Sequence, residues 1–557
     1  MTAPHTGFFS EQEWNFAPHE RSPLPGGAAT PAHPPLRRLL YGAVGVLIGI
    51  TGSLGTAAVT VNLPYLQGSL GAYQAEMAWL PAVYVMTNVP TGMILIKYRQ
   101  QFGLRSFALI FLTIYSLLTC VHLFVGGMTA AIAVRAASGI AGSALTTLCL
   151  NYMIQALPAT ARLSAIAAGI AVPQLAIPLA RLLSPALLAS DPWRNLYLFE
   201  FGLTLISLGA VAAIRLPPAA REQAFERLDI ITTILFALGL ALLCAVLAQG
   251  RYAWWTDTAW VGWALATALP LFGAVFLLEL HRANPLIDMR WLGTIDFLRF
   301  VLVGTVARVI LSEQTYGAIG LLGLLGSTND ELITFSALIL CASIAGVVAG
   351  ALLVKPGRLP HLVVLAIAIV AIAAAYDSQT THLTRAPQMY LSQALIAFST
   401  TLYIGPAMLI GFARVLADGG RKLTSFIVLF GATQSLGGLI GTAWLGTLQS
   451  SREKAHSFAL VQRLSHGEPQ VALALQQGAN RYAAQISDPG LRGAQGAASL
   501  AQRVSAEANI MAYNDVFATI AILAAVTAVL LALRLIRLQW LHNRTRATAS
   551  PMETLAP

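Results

Sequence analysis

Runs of about 20 apolar residues, the length of helix that crosses roughly 30 Å of hydrocarbon, recur along this chain from residue 39 to residue 539. No other feature narrows the possible folds as far. Inside a bilayer every backbone N–H and C=O must be paired within the protein, so such runs become helices packed side by side. Composition agrees: the chain is 56% hydrophobic and 10% charged, with a mean hydropathy of +0.68, which excludes an ordinary soluble domain. The formal charge of +10 needs no nucleic acid, because basic residues gather in cytoplasmic loops and at lipid surfaces.

Cutting the chain at its charge clusters predicts fourteen spans, near 39–66, 78–96, 104–126, 129–156, 161–187, 194–215, 228–250, 259–279, 297–325, 331–353, 360–376, 387–413, 423–448 and 515–539. The distribution of basic residues orients them. With the N-terminus in the cytoplasm, 22 of the 34 Lys and Arg fall on the cytoplasmic side and 9 on the other. Six of those nine belong to one long loop, 449–514, and long loops escape the positive-inside rule. Residues 1–36 are rich in Pro, Ala, Gly and His and lack an apolar signal core, so they read as a disordered cytoplasmic tail. Residues 541–557 form a second cytoplasmic tail. Within the 449–514 loop, helical runs such as "SREKAHSFALVQRLSH" are broken by "GEP" and "SDPG". Cys120, Cys149, Cys244 and Cys341 all sit in apolar segments and read as small core residues, not disulfides or zinc ligands. There is no P-loop spacing and no metal cluster.

An ionisable side chain inside a span costs at least about 2.5–3.5 kcal/mol on insertion scales, so each one asks for a function. The spans contain Arg135, Arg181, Glu200, Arg308 and Glu313. Arg308 and Glu313 are five residues apart, which on a helix places them about 140° apart and some 7.5 Å along the axis. They are not an i,i+4 pair, so each answers to a different neighbouring helix. Left unpaired, Glu313 suits the binding and release of a proton, whereas Arg308 reads as fixed. Arg135, Arg181 and Glu200 are expected at similar depth and form one buried ion network, with Glu200 as counter-ion. Thr56, Thr60, Asn62, Asn88, Asn151, Gln174, Gln393 and Gln434 are the uncharged groups that line a cavity or bond between helices. Pro173, Pro178 and Gly405-Pro406 mark breaks beside such a cavity, and the Gly437-Gly438-x-x-Gly441 run permits close helix approach.

Several stretches resemble the 14-helix drug:proton antiporters of the major facilitator superfamily, the EmrB/QacA group. They are "LGTAAVTVNLP" (54–64), "EMAWLPAVYVMTNVPTG" (76–92), "RAASGIAG" (135–142), "DPWRNLYLFEFG" (191–202), "LELHRANPLIDMRWL" (278–292), "QSLGGLIGTA" (434–443) and "AEANIMAYNDVF" (506–517). The departures are specific. Gly55 stands where the group has its first-helix acid, Arg181 where it has a helix-five glycine, and Gln434 where it often has arginine. The helix 2–3 loop keeps Gly92, Lys97, Arg99, Gly103 and Arg105 but lacks its aspartate.

The resemblance implies an all-α polytopic membrane protein with the major facilitator fold and 14 transmembrane helices. It divides the chain into an N-terminal six-helix bundle (37–216), two inserted helices (217–280) and a C-terminal bundle (281–540). It implies a coupling role for Arg135 and a conformational gating role for the 2–3 loop. The implied activity is proton-coupled export of small amphipathic or weakly acidic organic compounds from the bacterial cytoplasmic (inner) membrane. The proton gradient is the energy source and no cofactor is needed. A periplasmic membrane-fusion adaptor and an outer-membrane channel are the implied partners of the long outer loop. Proton-coupled import of an organic anion is the alternative, and a sensor or enzyme has no supporting domain or catalytic cluster.

Overall fold

The structure is a computed structural model that describes residues 17, 20, 22, 26–189, 191–219, 221, 223–417, 422–464 and 468–549. Among the described residues, thirteen helices are long and apolar enough to span a bilayer. They are α1 (Pro35–Val61), α2 (Gln74–Phe102), α3 (Leu104–His122), α4 (Met128–Ala156), α5 (Ala159–Leu187), α6 (Pro192–Ala213), α7 (Arg227–Gln249), α8 (Ala259–Leu280), α10 (Ile333–Leu353), α11 (Leu359–Asp377), α12 (Ala386–Leu416), α13 (Ser425–Arg463) and α14 (Pro489–Leu541). The fourteenth, α9, is broken into an α-helix Ile295–Ile310, a π-helical turn Glu313–Ala318 and a short helix Ile319–Leu324. The fourteen predicted spans are therefore present, and the one outside the thirteen, α9, is the one carrying Arg308 and Glu313.

Apolar residues face both neighbours and lipid here, so the packing is carried by small residues that let backbones approach. A side chain on Gly52 would place its Cβ 2.6 Å from the Cβ of Leu145, and one on Gly49 would meet the Cys149 sulfur at 2.7 Å, which draws α1 onto α4. Between the bundles, a Cβ on Gly405 would lie 2.8 Å from that of Ala167, so α12 and the inner half of α5 touch. Helix α5 turns 3₁₀ over Val172–Leu175, where Pro173 has no N–H to donate.

Two predicted features take a different form. The N-terminal tail is not wholly free: residues 26–33 lie across the end of the N-terminal bundle where α4 finishes and α1 begins. The Ala28 N–H donates to Asn151 Oδ1 (3.0 Å), the Gln155 amide to Ala29 O (2.9 Å), and the Ala29 N–H to Pro218 O (3.1 Å). Ala28 and Ala29 are buried, and Gly26 takes φ +60° above Gln100. Low hydrophobicity had suggested disorder, but a strap of small residues needs only backbone groups to dock. Asn151 accordingly anchors this strap through its side-chain carbonyl.

The second difference lies at the opposite face. The last two spans do not stop at the membrane. The helix of α13 runs on to Arg463 and that of α14 begins at Pro489, so the long loop is a helical hairpin closed by Pro469–Asn480. Gln449 to Asn509 (2.6 Å), Arg452 to Asp515 (2.5 Å) and His456 to Asp515 (2.7 Å) zip it together.

Candidate functional site: buried charges in the two bundles

Glu313 opens the π turn of α9 and is fully buried. It faces α12, where the side-chain amide of Gln393 donates to both its oxygens, at 3.0 and 3.2 Å. The same amide nitrogen donates to Asp377 Oδ2 at 2.8 Å, and Ser392 donates to Asp377 Oδ1 at 2.6 Å. Two carboxylates from α9 and α11 thus share one amide of α12, and neither has an ion-pair partner among the described residues. Gln314 continues the network by donating to Gln393 O at 3.0 Å. Glu313 thus meets α12 at the point where α9 leaves α-helical geometry, and π turns of this kind are frequent at functional sites.

Arg308, one turn and a half earlier, takes a separate partner as the helical geometry requires. Its Nε donates to the Gln434 carbonyl at 3.3 Å. The glycines of α13 make room: a Cβ on Gly437 would lie 2.8 Å from Arg308 Cβ, and one on Gly441 would meet Ser312 Oγ at 2.4 Å. The Gln434 side-chain amide nitrogen is buried without a partner among the described residues.

In the N-terminal bundle the single network expected of Arg135, Arg181 and Glu200 does not form. Arg135 is buried, donates to Thr56 at 3.0 Å and lies 4.8 Å over the Tyr84 ring. Glu200 accepts from the Tyr115 hydroxyl at 2.6 Å. Arg181 makes no hydrogen bond or ion pair among the described residues. The Glu200 carboxylate packs instead against α1 at Gly55. A side chain there would place its Cβ 2.0–2.4 Å from the carboxylate of Glu200. The acid missing from α1 is thus supplied in space by α6, in the volume that glycine leaves empty.

The remaining polar candidates divide between links and self-bonded groups. Asn62 donates to Ser184 at 2.7 Å and accepts from Asn329 at 3.2 Å, joining α1, α5 and the α9–α10 loop. Asn88 donates to Gly139 O at 3.1 Å. Among the described residues Thr60 bonds only to its own helix at Thr56 O, and Gln174 lies in the 3₁₀ turn of α5.

In the 2–3 loop region, Gly103 takes φ +89°, a conformation that suits glycine, and nothing lies within 4 Å of a Cβ at Gly92. Arg99 is buried and Arg105 starts α3. Lys97 belongs to a compensated cluster. It donates to Asp229 (2.9 Å) and to Asn284 O (2.7 Å). Arg282 reaches Asp229 (2.6 Å), Glu226 (2.8 Å) and Glu279 (2.6 Å). Glu279 also accepts from Thr232 at 2.7 Å. Burial works against the charge of Arg282, but these three carboxylates outweigh it and hold its pKa above the ordinary arginine value. This cluster ties α2, α7 and the α8–α9 junction into one unit.

The sequence profile of the Major Facilitator Superfamily matches residues 45–442, about the whole of both bundles up to α13. The chain belongs to the Major Facilitator Superfamily. It is a polytopic membrane transporter, not an enzyme. Solved structures share the fold at low identity. Tetrameric PepTSo2 superposes with a TM-score of 0.54 at 14% identity, covering 90% of this chain and 99% of its own. A bacterial homologue of the human drug peptide transporters PepT1 and PepT2 gives 0.55 at 12%, with the same coverage of each chain. The human organic anion transporter MFSD10 (TETRAN) gives 0.51 at 15%, covering 88% of this chain and 100% of its own. No curated protein sequence matches the chain.

Asp377, Asp229 and Tyr115 enter this description without having been singled out. Asp377 ends α11, one residue past the predicted span limit of 376, where an acid reads as a boundary marker.

Proposed function

We propose that this member of the Major Facilitator Superfamily is a proton-coupled antiporter that exports small amphipathic or weakly acidic organic compounds. The observation that carries the reading is the pair Glu313 and Asp377 on the single amide of Gln393. Two full negative charges on one buried amide, with no facing cation, are costly, so the site is built to gain and lose a proton. Its helices α9, α11 and α12 belong to the bundle that rocks against the other in alternating access. A proton on one carboxyl changes what Gln393 must satisfy, and that couples occupancy to helix position.

The pair Arg135 and Glu200 gives the other bundle its own buried charges, with Arg308 and Arg181 as fixed positive groups that favour weakly acidic cargo. Both termini are cytoplasmic and the membrane is the bacterial inner membrane. The outer hairpin of α13 and α14 is the surface offered to a periplasmic membrane-fusion adaptor that leads to an outer-membrane channel.

The test is accumulation of a panel of dyes and aromatic acids in cells with and without a proton uncoupler. Export collapses with the uncoupler if the reading holds. Gradients indifferent to the uncoupler sink it, and uncoupler-sensitive uptake replaces export with import.

A further inference from the structure

The π turn that carries Glu313 is held on three sides. Glu313 itself is bound by Gln393 of α12. The back of the turn packs on α14, where a Cβ at Gly317 would lie 2.6 Å from the Phe517 ring. The third hold comes from outside the C-terminal bundle. Arg251, in the loop between α7 and α8, donates from Nη1 to the Tyr316 hydroxyl at 3.1 Å, with its guanidinium 5.7 Å from the ring centroid. Gly446 of α13 leaves the space for this contact. A Cβ there would lie 2.4 Å from Arg251 Nη1 and 3.1 Å from the Tyr316 hydroxyl oxygen.

The loop that supplies Arg251 is anchored in the other bundle. Helix α7 runs along α2 and is pinned to it near both ends. Lys97 meets Asp229 at 2.9 Å, and the Gln249 amide donates to Ala75 O at 2.8 Å. Between those points Leu240 and Cys244 share a buried cluster with Val83 and Met86 of α2. Two residues past Gln249 the chain grips the opposite side. Besides Arg251 on Tyr316, Trp255 Nε1 donates to Thr447 Oγ1 of α13 at 2.8 Å, and Lys454 of α13 lies 4.4 Å over the Trp254 ring. Trp254 takes φ +54°, a left-handed conformation that bulky residues rarely adopt. Backbone strain of this kind persists only where surrounding contacts impose it, and it gathers at switch regions.

We propose that Arg251 is a positioning residue for Glu313, and that residues 250–255 form a clasp linking the separation of the two bundles at this face to the π turn. Because α7 is pinned to α2, parting of the bundles here carries Gln249 away from α9. The chain cannot then keep both Ala75 O and the Tyr316 hydroxyl. Release of Arg251 frees Tyr316, three residues along the same turn from Glu313, and the turn loses the hold that opposes Gln393. The carboxyl is fixed on the shared amide while the clasp is shut and shifts on it once the clasp opens. Arg251 makes no hydrogen bond or ion pair with Glu313 or Asp377 among the described residues and exchanges no proton; it acts through Tyr316. The proposal rests on the proton coupling and orientation proposed above.

The experiment uses the full chain in proteoliposomes, with a dye or aromatic acid that the panel above finds exported as the probe. Two rates are measured: exchange of labelled for unlabelled probe without a gradient, and probe movement driven by an imposed pH step. In Arg251→Gln the ratio of driven to exchange rate is expected to fall about tenfold, the worth of one hydrogen bond to a charged group, with exchange itself within about twofold of wild type. Tyr316→Phe, which keeps the ring and loses the hydroxyl, lowers the ratio by less. Gly446→Ala displaces Arg251 without altering a polar group and moves the ratio the same way. In the Glu313→Gln background none of the three lowers it further, since the group they position is gone. A wild-type ratio in Arg251→Gln and Tyr316→Phe overturns the clasp alone, as does a fall of both rates together, the mark of a merely structural contact. If Arg251→Gln does not fold, Tyr316→Phe decides. Probe movement that ignores the pH step in the wild type overturns the proton coupling and the clasp with it.

Discussion

Two buried clusters of carboxylates sit in this transporter, and they are built on opposite plans. Around Asp229, three acids meet two cations, and every carboxylate oxygen of Asp229 and Glu279 has a donor: Lys97, Arg282, Thr232 and the backbone of Glu226, Leu286 and Ile287. Around Gln393, two acids meet one neutral amide and two further hydrogen-bonding side chains. The first arrangement holds helices at one distance, because breaking any pair strands a charge. The second can change its proton count, because no permanent cation insists on a permanent anion. On the function proposed above, the missing countercharge, and not burial alone, marks the coupling site.

The comparison breaks first, and most severely, at Asp229. Asp229→Asn leaves Lys97 and Arg282 short of charge in a buried position and is expected to cost about 3–5 kcal/mol of stability, read as a large drop in the thermal midpoint of the purified protein. The matching change at the other cluster, Glu313→Gln, is isosteric and removes a charge that had no cation. It is expected to leave the midpoint within a few degrees and to abolish uncoupler-sensitive export. Full proton-driven export in Glu313→Gln would remove Glu313 from the mechanism.

A sharper test lies on the shared amide. Gln393→Leu separates the acids without altering either, so export should persist down its own gradient while the response to an imposed pH step is lost. Gly55→Ala probes the N-terminal bundle. Its methyl collides with the Glu200 carboxylate, and overpacking of this kind costs about 1–3 kcal/mol, seen as a moderate fall in midpoint that Gly55→Ala/Glu200→Ala relieves. The smallest effect is at His33, which bonds Gln155 at 2.9 Å. Burial lowers its pKa, so its contribution is present above the ordinary imidazole value and fades as pH falls through the folded value. Protease nicking of the strap should rise modestly toward acid pH.

The spans, their number and the isolation of Arg308 from Glu313 were legible, because span length is set by the bilayer and angular spacing by the helix. The partners were not. Hydropathy reports which residues avoid water, not which helix a side chain faces, so Gln393 stood among eight polar candidates with nothing to pair it with Glu313. Asp377 fell past the end of its apolar run. The π turn was equally hidden, since "EQTYGA" carries no proline or glycine pair to announce a break. Glu200 was visible as an acid and Gly55 as a missing one. That one fills the place of the other emerges only when α1 and α6 lie side by side.

The strap at residues 26–33 bears on how this protein is handled. A chain trimmed to begin at Pro35 would keep every transmembrane helix yet bare Asn151 Oδ1, the Gln155 amide and Pro218 O at once. Such trimming shortens the molecule at a point that hydropathy marks as expendable and removes part of its folded interior. Tags and fusions on this side belong ahead of Gly26, with the native residues between it and Pro35 left intact.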